Sequence, residues 1–462
     1  MQWQSRVRAF CGLICASLAA CSVGTPYRRP DIPLPQEWNA PGAQVAVWPE
    51  SDWWHGFGSD RLDELITEAQ RSNDDLAGAI ARVQEADAQL RIAGAPLLPS
   101  VDLGATATRE RGSVSGEGIS VFNLFNPVLT ASYELDFWGK NRAARDAARA
   151  AAVASRYDQQ TVALTVVSSV ATTYFQALEL RDRLQVAHQN LENGDKILHG
   201  LTFEQEVGTA TGLDVAQQAT LVALLYAAIP PLEEQFKQTV YALAVLIGRT
   251  PESIDVNDGT LTALKAPPVV SGLPSKLLTR RPDIAEAEQQ LIAANANITV
   301  ARAELFPTIE LTASGGYESN VLSSLVSPAN RVYALSAGLT QPIFHGGALR
   351  GELAFTKARY TELATTYHKT VLTAFSNVEG ALVAARQTAD QQERQEDAVA
   401  KAKRAYEFAQ IQMSAGTVNI LTVLNTENAL FSAQDTLVQV QYSHLQALVD
   451  LFTALGGGWH QG

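Results

Sequence analysis

The side chains that could carry out chemistry are few in this sequence, and most of them stand alone. The seven histidines form no ligand-spaced pair with a cysteine or with one another. They are His55, His188, His199, His345, His368, His444 and His460. The sequence also lacks a phosphate-binding glycine loop and the spacing of a nucleophile elbow. It therefore predicts no enzyme, no metal site and no cofactor.

One cysteine, Cys21, has surroundings that point to covalent lipid attachment. Arg6 and Arg8 precede the short apolar run AFCGLICASLAA, and together they form the charged and apolar parts of a secretory signal. The letters LAAC at positions 18–21 resemble a bacterial lipobox. That resemblance implies removal of residues 1–20 as a signal peptide and acylation of the sulfur and the new amino group of Cys21. An ordinary signal with a chance cysteine is the alternative.

Cleavage before Cys21 would leave no thiol for a disulfide, because Cys11 and Cys15 would be removed with the signal. Ser22 in place of an aspartate is typical of lipoproteins that are sorted to the outer membrane. The following segment, Pro26–Pro41, is rich in proline, which removes backbone donors and favours extended conformations. We expect it to tether the lipid to the folded body.

The composition narrows the class of protein. The chain has 462 residues, 46% of them hydrophobic and 7% aromatic, and a formal net charge of -13. A strongly acidic chain is a poor partner for nucleic acid, and this length supplies ample material for a core. Beyond the signal there is no run of 18 or more apolar residues, so we expect no transmembrane helix and predict that any membrane span is β.

Two very long helical stretches are predicted. No proline occurs from Val128 to Ile229 or from Ile343 to Gly462. In the first stretch, apolar residues recur at helical spacing, and alanine-rich segments such as NRAARDAARAAAVAS let neighbouring helices approach closely. A helix from about Asn141 to Val207 would be about 100 Å long. Pro230 and Pro231 should kink or break the returning helix.

Four segments alternate apolar and polar residues as strands do. They are PSVDLGATATRE (99–110), VLTASYELDF (128–137), PTIELTASGG (307–316) and YALSAGLTQPIF (333–344). Each is about ten residues long, which is the length that a tilted strand needs to cross a bilayer. A half-buried sheet of a soluble protein would alternate in the same way.

The chain repeats itself at one fixed offset. Pro99 and Pro307 are 208 positions apart, and so are Gly208 and Gly416. We therefore predict an internal duplication. The first repeat, within residues 21–270, has strands at about 97–137 and a helical hairpin at about 141–248. The second, within 271–462, has strands at about 305–345 and a hairpin at about 347–455.

Four lipid-facing strands cannot leave their edges unpaired in hydrocarbon, so several chains must close one barrel. Two chains would give eight strands, a size whose interior is filled by side chains. Three chains would give twelve strands and leave a lumen. The predicted architecture is therefore mainly α with a membrane β-barrel, and it is assembled as a homotrimer with a pore.

The chain resembles the outer membrane factor family, the TolC-like and NodT-like lipoprotein ducts of tripartite efflux systems. The motifs that carry this resemblance are CSVGTPYRRPDIPLPQEW, WWHGFGSDRLDELITEA, YELDFWGKNR, IPPLEEQFKQTVYALAVLIGRTP, LLTRRPDIAEAEQQLIAANANITVARAELFPTIELTASGG, LTQPIFHGG and LFTALGGGW. The resemblance implies a trimeric twelve-stranded barrel in the outer membrane, continued by a long periplasmic α-helical barrel. It also implies an inner-membrane transporter and a periplasmic adaptor as partners, together with outer-membrane lipid.

The resemblance also assigns roles to the two glycine turns that join the long helices. Glycine ends a helix by adopting a left-handed conformation, and in the family the equivalent turns meet the adaptor. The contact residues expected on this basis are Val207, Gly208, Thr209, Gly416 and Thr417. These glycines could also act as helix caps and nothing more.

A gate at the tip is expected to be apolar. Family members often carry an acidic residue in or near the second turn, whereas this chain has no Asp or Glu from Phe408 to Thr426. Closure by apolar packing around Ile411, Met413 and Val418 is the hypothesis that remains, although the same residues could simply pack between helices.

The leading functional hypothesis is a passive exit duct for drugs or other small molecules. The alternatives are a duct for protein or peptide secretion and a periplasmic coiled-coil lipoprotein scaffold without a pore. A single methionine, Met413, remains after signal cleavage, so a methionine relay for soft metal ions finds no support.

The lipid anchor can be tested directly. We expect Cys21→Ser to leave the signal uncleaved by the lipoprotein peptidase and to abolish labelling with radioactive palmitate. Efflux should fall less than labelling, because the barrel also holds the protein in the membrane. Palmitate labelling that is unchanged in the variant would rule out Cys21 as the anchor.

Overall fold

The structure is a computed structural model that describes residues 23–33, 38, 48–114, 118–268, 274–457 and 459. Cys21, the predicted signal peptide and part of the predicted tether lie outside the described residues.

Seven α-helices and four strands of the described chain carry the architecture. In chain order they are α1 (Asp60–Ser72), α2 (Asp74–Gly94), β1 (Ser100–Val114), β2 (Gly118–Glu134), α3 (Lys140–Glu206), α4 (Gly212–Leu246), α5 (Pro282–Ala303), β3 (Thr308–Tyr317), β4 (Arg331–Thr340), α6 (Ala348–Ser414) and α7 (Ile420–Ala454).

The duplication is visible in the helices. Helices α3 and α6 each have 67 residues, and α4 and α7 each have 35. Lys140 and Ala348, which begin α3 and α6, are 208 positions apart, as are Gly212 and Ile420, which begin α4 and α7. At 1.5 Å per residue, each of the two longest helices is about 100 Å long.

The described chain forms two compact units. The sheet unit comprises the described residues up to Asp31 together with Ala81–Arg156 and Glu286–Lys369. The helical unit comprises the described residues within Ile32–Ile80, Tyr157–Ala285 and Thr370–Gly462.

The sheet unit contains one antiparallel sheet with the strand order β1-β2-β3-β4. The register is continuous, so odd-numbered residues of all four strands share one face and even-numbered residues share the other. The odd face is mainly apolar: Leu103 pairs with Leu129, Leu129 with Gly315, and Gly315 with Tyr333. The even face is mainly polar, as where Ser132 pairs with Thr312 and Thr312 with Ser336.

The core of the helical unit combines large aromatic and aliphatic side chains. Trp53 stacks on Phe452 with ring centroids 5.2 Å apart, and Phe57 packs against Phe175 at 5.0 Å. Asn73 lies between α1 and α2 and connects the start of α2 to the end of α4. Its Nδ2 donates to the carbonyl of Leu246, and its Oδ1 accepts from Leu76 N and so caps α2. The contacts of Asn73 and Trp53 lie at the ends of α4 and α7, where the two hairpins finish.

By length and composition alone, helices α3 and α4 are long and apolar enough to cross a membrane. Alanine gives them a high mean hydropathy, although neither contains an unbroken run of 18 apolar residues. Pro230 and Pro231 do not break α4, which continues through both of them as one helix of 35 residues. Of the two effects predicted for these prolines, the break is therefore wrong, and the kink stays a prediction.

Candidate functional site: the paired interhelical turns

The first turn joins α3 to α4 and ends α3 with a Schellman motif. Thr209 N donates to Glu204 O at 2.8 Å, and Gly208 N donates to Gln205 O at 3.1 Å. Gly208 has φ +83°, in the left-handed region. A Cβ at this position would meet nothing within 4 Å, so the backbone conformation, not crowding, requires the glycine.

The second turn, between α6 and α7, has the same construction. Thr417 N donates to Gln412 O at 2.9 Å, Gly416 N donates to Met413 O at 2.9 Å, and Gly416 has φ +70°. The hydroxyls of Thr209 and Thr417 each donate to the carbonyl five residues earlier, at 3.0 Å in both turns. The two turns are therefore copies of one structure.

Each turn leads into a capped helix. Thr211 begins α4 with a capping box, in which its hydroxyl accepts from Asp214 N and its own N–H donates to Asp214 Oδ2 at 2.8 Å. The hydrogen bonds from Thr211 lower the pKa of Asp214. Asn419 caps α7 by accepting from Thr422 N at 3.2 Å. Both turns are thereby fixed at each end.

One apolar cluster lies beneath the turns and draws on both hairpins. Its buried members are Leu201 of α3, Ala409 of α6, and Ile420 and Val423 of α7. Partly buried side chains complete it: Ile197, Ala210, Val215, Tyr406, Met413 and Leu424. The structure therefore brings the two sequence-predicted turns together at one end of the helical unit, although they are 208 positions apart in the chain.

The three residues of the gate hypothesis have different surroundings. Met413 packs against the apolar cluster of its own chain, and Val418 is half-buried. Ile411 is 63% exposed and lies two positions from Met413, so the two side chains do not share a helix face. Of the three, Ile411 alone is exposed enough to meet another chain.

Apolar side chains are exposed at equivalent positions of both hairpins. Phe203 and Ile411, 208 positions apart, are 65% and 63% exposed. Leu213 and Leu421 form a second such pair, and Val207 is exposed in the first turn. Exposed apolar residues are thus repeated at equivalent positions around the two turns.

A buried carboxyl group close to the apolar cluster was missed by the sequence argument. Glu427 of α7 is fully buried, and both of its carboxyl oxygens lack a hydrogen-bond partner. Its neighbour Gln218 of α4 is also fully buried, and it donates to the carbonyl of Gly194 in α3 at 2.9 Å. Burial raises the pKa of Glu427 to about 7, and the nearby amide of Gln218 acts in the opposite direction with the smaller effect.

Tyr406 of α6 completes these surroundings, and burial followed by the charge of Glu427 raises the pKa of its hydroxyl to about 12. Side chains of α4, α6 and α7 and a backbone carbonyl of α3 thus lie around one carboxyl group. One signal was present in the sequence, since Glu427 is the first acidic residue after the uncharged stretch from Phe408 to Thr426. Its burial could not be read from that position.

Comparison with known proteins places the chain among membrane efflux proteins. The family model described as "Outer membrane efflux protein" matches twice, at residues 65–249 and 273–457. The starts of the two matches differ by 208 positions, the same offset as the helices.

The relatives and solved structures agree with this match. The chain is 41% identical to the pyoverdine export outer membrane protein OpmQ of Pseudomonas putida, and the alignment covers 96% of each. It is 31% identical to the cation efflux system protein CusC of Escherichia coli O6:H1, over 98% of each. The structure of the outer-membrane channel OprN superimposes with a TM-score of 0.89 at 26% identity, covering 95% of this chain and all of that one.

The buried carboxyl group predicts a pH dependence of stability. The folded state raises the pKa of Glu427 from 4.5 to about 7, so between these values the native chain holds a proton that the unfolded chain has lost. The free energy of unfolding should therefore fall as the pH rises from about 4.5 to about 7 and remain lower above that range. The loss is on the order of 3 kcal/mol.

Thermal unfolding between pH 5 and pH 8 measures this effect. Glu427→Gln should unfold at nearly the same temperature across the range and be more stable than the unchanged protein at pH 8. Glu407→Gln, which changes an exposed carboxyl of α6, is the matched control and should keep the original slope. A Glu427→Gln variant with the unchanged slope would contradict the assignment.

Proposed function

Because the chain belongs to the outer membrane efflux protein family, we propose that three copies of it form the exit duct of a tripartite pump, through which small molecules pass passively. The chain is an outer-membrane efflux channel whose helical domain lies in the periplasm. The number of copies, the partners and the cargo are the parts that we propose.

The observation that carries the proposal is a two-faced sheet with open edges. Strands β1 and β4 are its two ends, and neither pairs on its outer side within the described chain. The apolar odd face is exposed, with Leu103 75% and Leu335 79% accessible. An apolar face requires lipid, and an edge in lipid requires another strand. Pairing β4 of one copy with β1 of the next keeps the alternation antiparallel and closes a barrel.

The proposed number of copies follows from the number of strands that a barrel needs to enclose a water-filled lumen. Twelve strands leave a water-filled interior, whereas eight would be filled by side chains. The even face offers the polar lining that a lumen needs, including Thr106, Thr130 and Ser314. Three copies are therefore the smallest closed assembly that conducts.

The long helices support the same assembly. Leu224, Tyr226 and Val245 of α4 are all more than 60% exposed in the single chain. Apolar surface of this extent is covered by another chain in stable proteins. We propose that neighbouring copies cover it and that the hairpins together form the periplasmic conduit.

We propose that a periplasmic adaptor binds the two turns, with contacts at Val207, Gly208, Thr209, Gly416 and Thr417, and that an inner-membrane transporter supplies the energy. The paired Schellman motifs and the exposed apolar residues around them support this role. Ile411, Met413 and Val418 stay a proposal for the gate, in which Ile411 faces neighbouring copies and Met413 anchors it to the cluster of its own chain.

The N-terminal segment supports lipid attachment at Cys21. Two residues after that cysteine, the carbonyl of Val23 accepts from Arg302 Nη1 at 2.6 Å. The carbonyl of Thr25 accepts from Asn295 Nδ2 at 3.0 Å, and Arg29 Nε donates to Glu288 Oε1 at 2.6 Å. The segment is thus fixed along α5 in the sheet unit, which keeps the proposed anchor next to the strands that enter the membrane.

The cargo is proposed as a small organic molecule of the siderophore or drug kind. OpmQ exports pyoverdine and CusC belongs to a cation efflux system, so the two relatives carry different cargo. OpmQ is the more similar of the two. A duct of this type selects little by itself, so the transporter would decide the substrate.

Assembly can be tested by placing a charge on one face of β1 or the other. The protein extracted in detergent should be a trimer of roughly 150 kDa plus micelle by light scattering, since the chain is 49.7 kDa. Leu103→Arg should reduce trimer yield, because arginine on the lipid face costs about 2 to 4 kcal/mol at the midplane and less near the interfaces. Thr106→Arg, on the polar face of the same strand, is the matched control and should assemble.

Two results would contradict the shared barrel. One is a stable detergent-soluble monomer with its full strand content. The other is equal assembly of the Leu103 and Thr106 variants. Single-channel conductance of the purified trimer in planar bilayers separates a pore from a scaffold, since a scaffold would show none.

Docking can be tested at the two glycines. Gly208→Val and Gly416→Val should each strain the turn by about 1 to 2 kcal/mol, because a β-branched residue resists positive φ. A Cβ added at either glycine would meet no atom within 4 Å, so we expect the trimer to form. We expect cross-linking to the adaptor and drug resistance to be lost while trimer yield stays near normal.

Gly380→Val is the control for the docking test. Gly380 lies within α6 at ordinary helical φ, also with open space around its Cβ position, so this variant should keep cross-linking and resistance. Normal resistance in both turn variants, or loss of the trimer in both, would exclude these turns as the docking tip.

A further inference from the structure

The charged residues of the four strands are sorted by face. Arg109, Arg111 and Arg331 all lie on the odd, apolar face. The acidic residues of the strands all lie on the even, polar face; they are Asp102, Glu110, Glu134 and Glu310. A sheet whose charges only served solubility would show both signs on its polar face and none on its apolar face.

The arginines are exposed, and each stands opposite an uncharged residue. Arg109 pairs with Asn123, Arg111 with Val121, and Arg331 with Tyr317. All three side chains face outwards from the described chain. No acidic residue of the strands shares their face, so the neutralising charge has to come from outside the sheet.

The arginines lie at the distance along the strands at which the apolar band of a membrane barrel ends. Eight residues separate Val101 from Arg109 and Arg331 from Leu339, which is about 26 Å of strand in each case. On strands tilted by about 40° this length covers about 20 Å along the membrane normal. The apolar band of an outer-membrane barrel is about 25 Å tall. An arginine on the lipid face costs little at the interface, whereas it is costly at the midplane.

The arginines occur on the two edge strands, β1 and β4. Closure of the barrel by pairing β4 of one copy with β1 of the next would place Arg331 and the neighbouring copy's Arg109 and Arg111 on the two sides of each seam. The site is therefore incomplete in a single chain, and this inference rests on the proposed function. The strand ends near these arginines are those away from the helices, which is the extracellular side.

We propose that Arg109, Arg111 and Arg331 form a basic rim at each seam that binds the phosphate groups of the outer-leaflet lipid. An acylated sugar that carries phosphates has both features that this face requires, because its chains cover the apolar band and its phosphates accept bidentate hydrogen bonds from guanidinium. Tyr317 and Tyr333 of the same face supply aromatic side chains at the same end, as at barrel interfaces in general.

The test compares two lipids on the full-length trimer in detergent. Lipid A with both phosphates and lipid A stripped of its phosphates are each added, and retained lipid is counted by native mass spectrometry. We expect the phosphorylated form to be retained at least about tenfold more strongly, because each basic residue near an anionic surface adds to the attraction. Equal retention of the two lipids by the unchanged trimer would overturn the proposal.

Three variants locate the site. The triple change Arg109→Gln, Arg111→Gln and Arg331→Gln should abolish the preference for phosphates, and the same three positions changed to Lys should keep most of it. Arg71→Gln, Lys237→Gln and Lys403→Gln together remove the same charge from exposed positions of the helical unit and should change nothing. An unchanged preference in the Gln variant would overturn the proposal even if the unchanged trimer discriminates.

Light scattering and conductance measurements distinguish failure of the basic rim from failure of the proposed function. A conducting trimer without phosphate preference contradicts the rim alone. A protein that never forms a trimer contradicts both, because the seam would not exist. If the Gln variant does not assemble, the two-lipid comparison on the unchanged trimer and the Lys variant still decide the question.

Discussion

The constraint on which the rest of this structure depends is that a strand edge cannot remain unpaired in hydrocarbon. Strands β1 and β4 end the sheet, and each presents a row of backbone donors and acceptors with no partner in the described chain. Each such group costs several kcal/mol in lipid. The four strands of one chain therefore form only part of a barrel, and both membrane insertion and the pore depend on other copies of the chain. The long helices meet a parallel constraint, because their exposed apolar side chains also need a neighbour.

The internal duplication gives the chain two nearly equal helical hairpins. The two hairpins agree in their turns and differ in the interior close to those turns. The two turns share a motif, a glycine conformation and a threonine hydroxyl contact. The interior close to them does not repeat, because Ala219 occupies the position in the first hairpin that corresponds to Glu427 in the second. A carboxyl group with two unpaired oxygens destabilises this junction unless it is protonated. The tip is thus built symmetrically on its surface and asymmetrically within.

Much of the fold could be predicted from the sequence, for physical reasons that also explain the failures. The absence of proline and the positions of Gly208 and Gly416 placed the ends of α3 and α6 to within a residue or two, because proline and glycine act locally. The sequence left open whether Pro230 and Pro231 kink α4 or break it, because local rules do not weigh the packing of the turns on either side, and the structure excludes the break. The surroundings of Met413 and Glu427 could not be predicted, because each depends on helices that are distant in sequence.

The sorting of charge between the faces also protects the register of the sheet. A slip of one residue in a strand exchanges its faces, since side chains alternate with a period of two. Such a slip in β3 would turn Glu310 towards lipid and Leu311 towards the lumen. A slip in β1 would bring Asp102 into the apolar band and remove Arg109 from its edge. In the native register Glu134 and Glu310 are directly opposite one another, an arrangement that repulsion disfavours. The ion pair of Lys140 with Glu134 at 2.6 Å offsets that repulsion, and the cost of a carboxylate in lipid exceeds what remains. The strands therefore keep an unfavourable pair on the water side, because a one-residue slip of β1, β2 or β3 would turn an acidic residue towards the membrane.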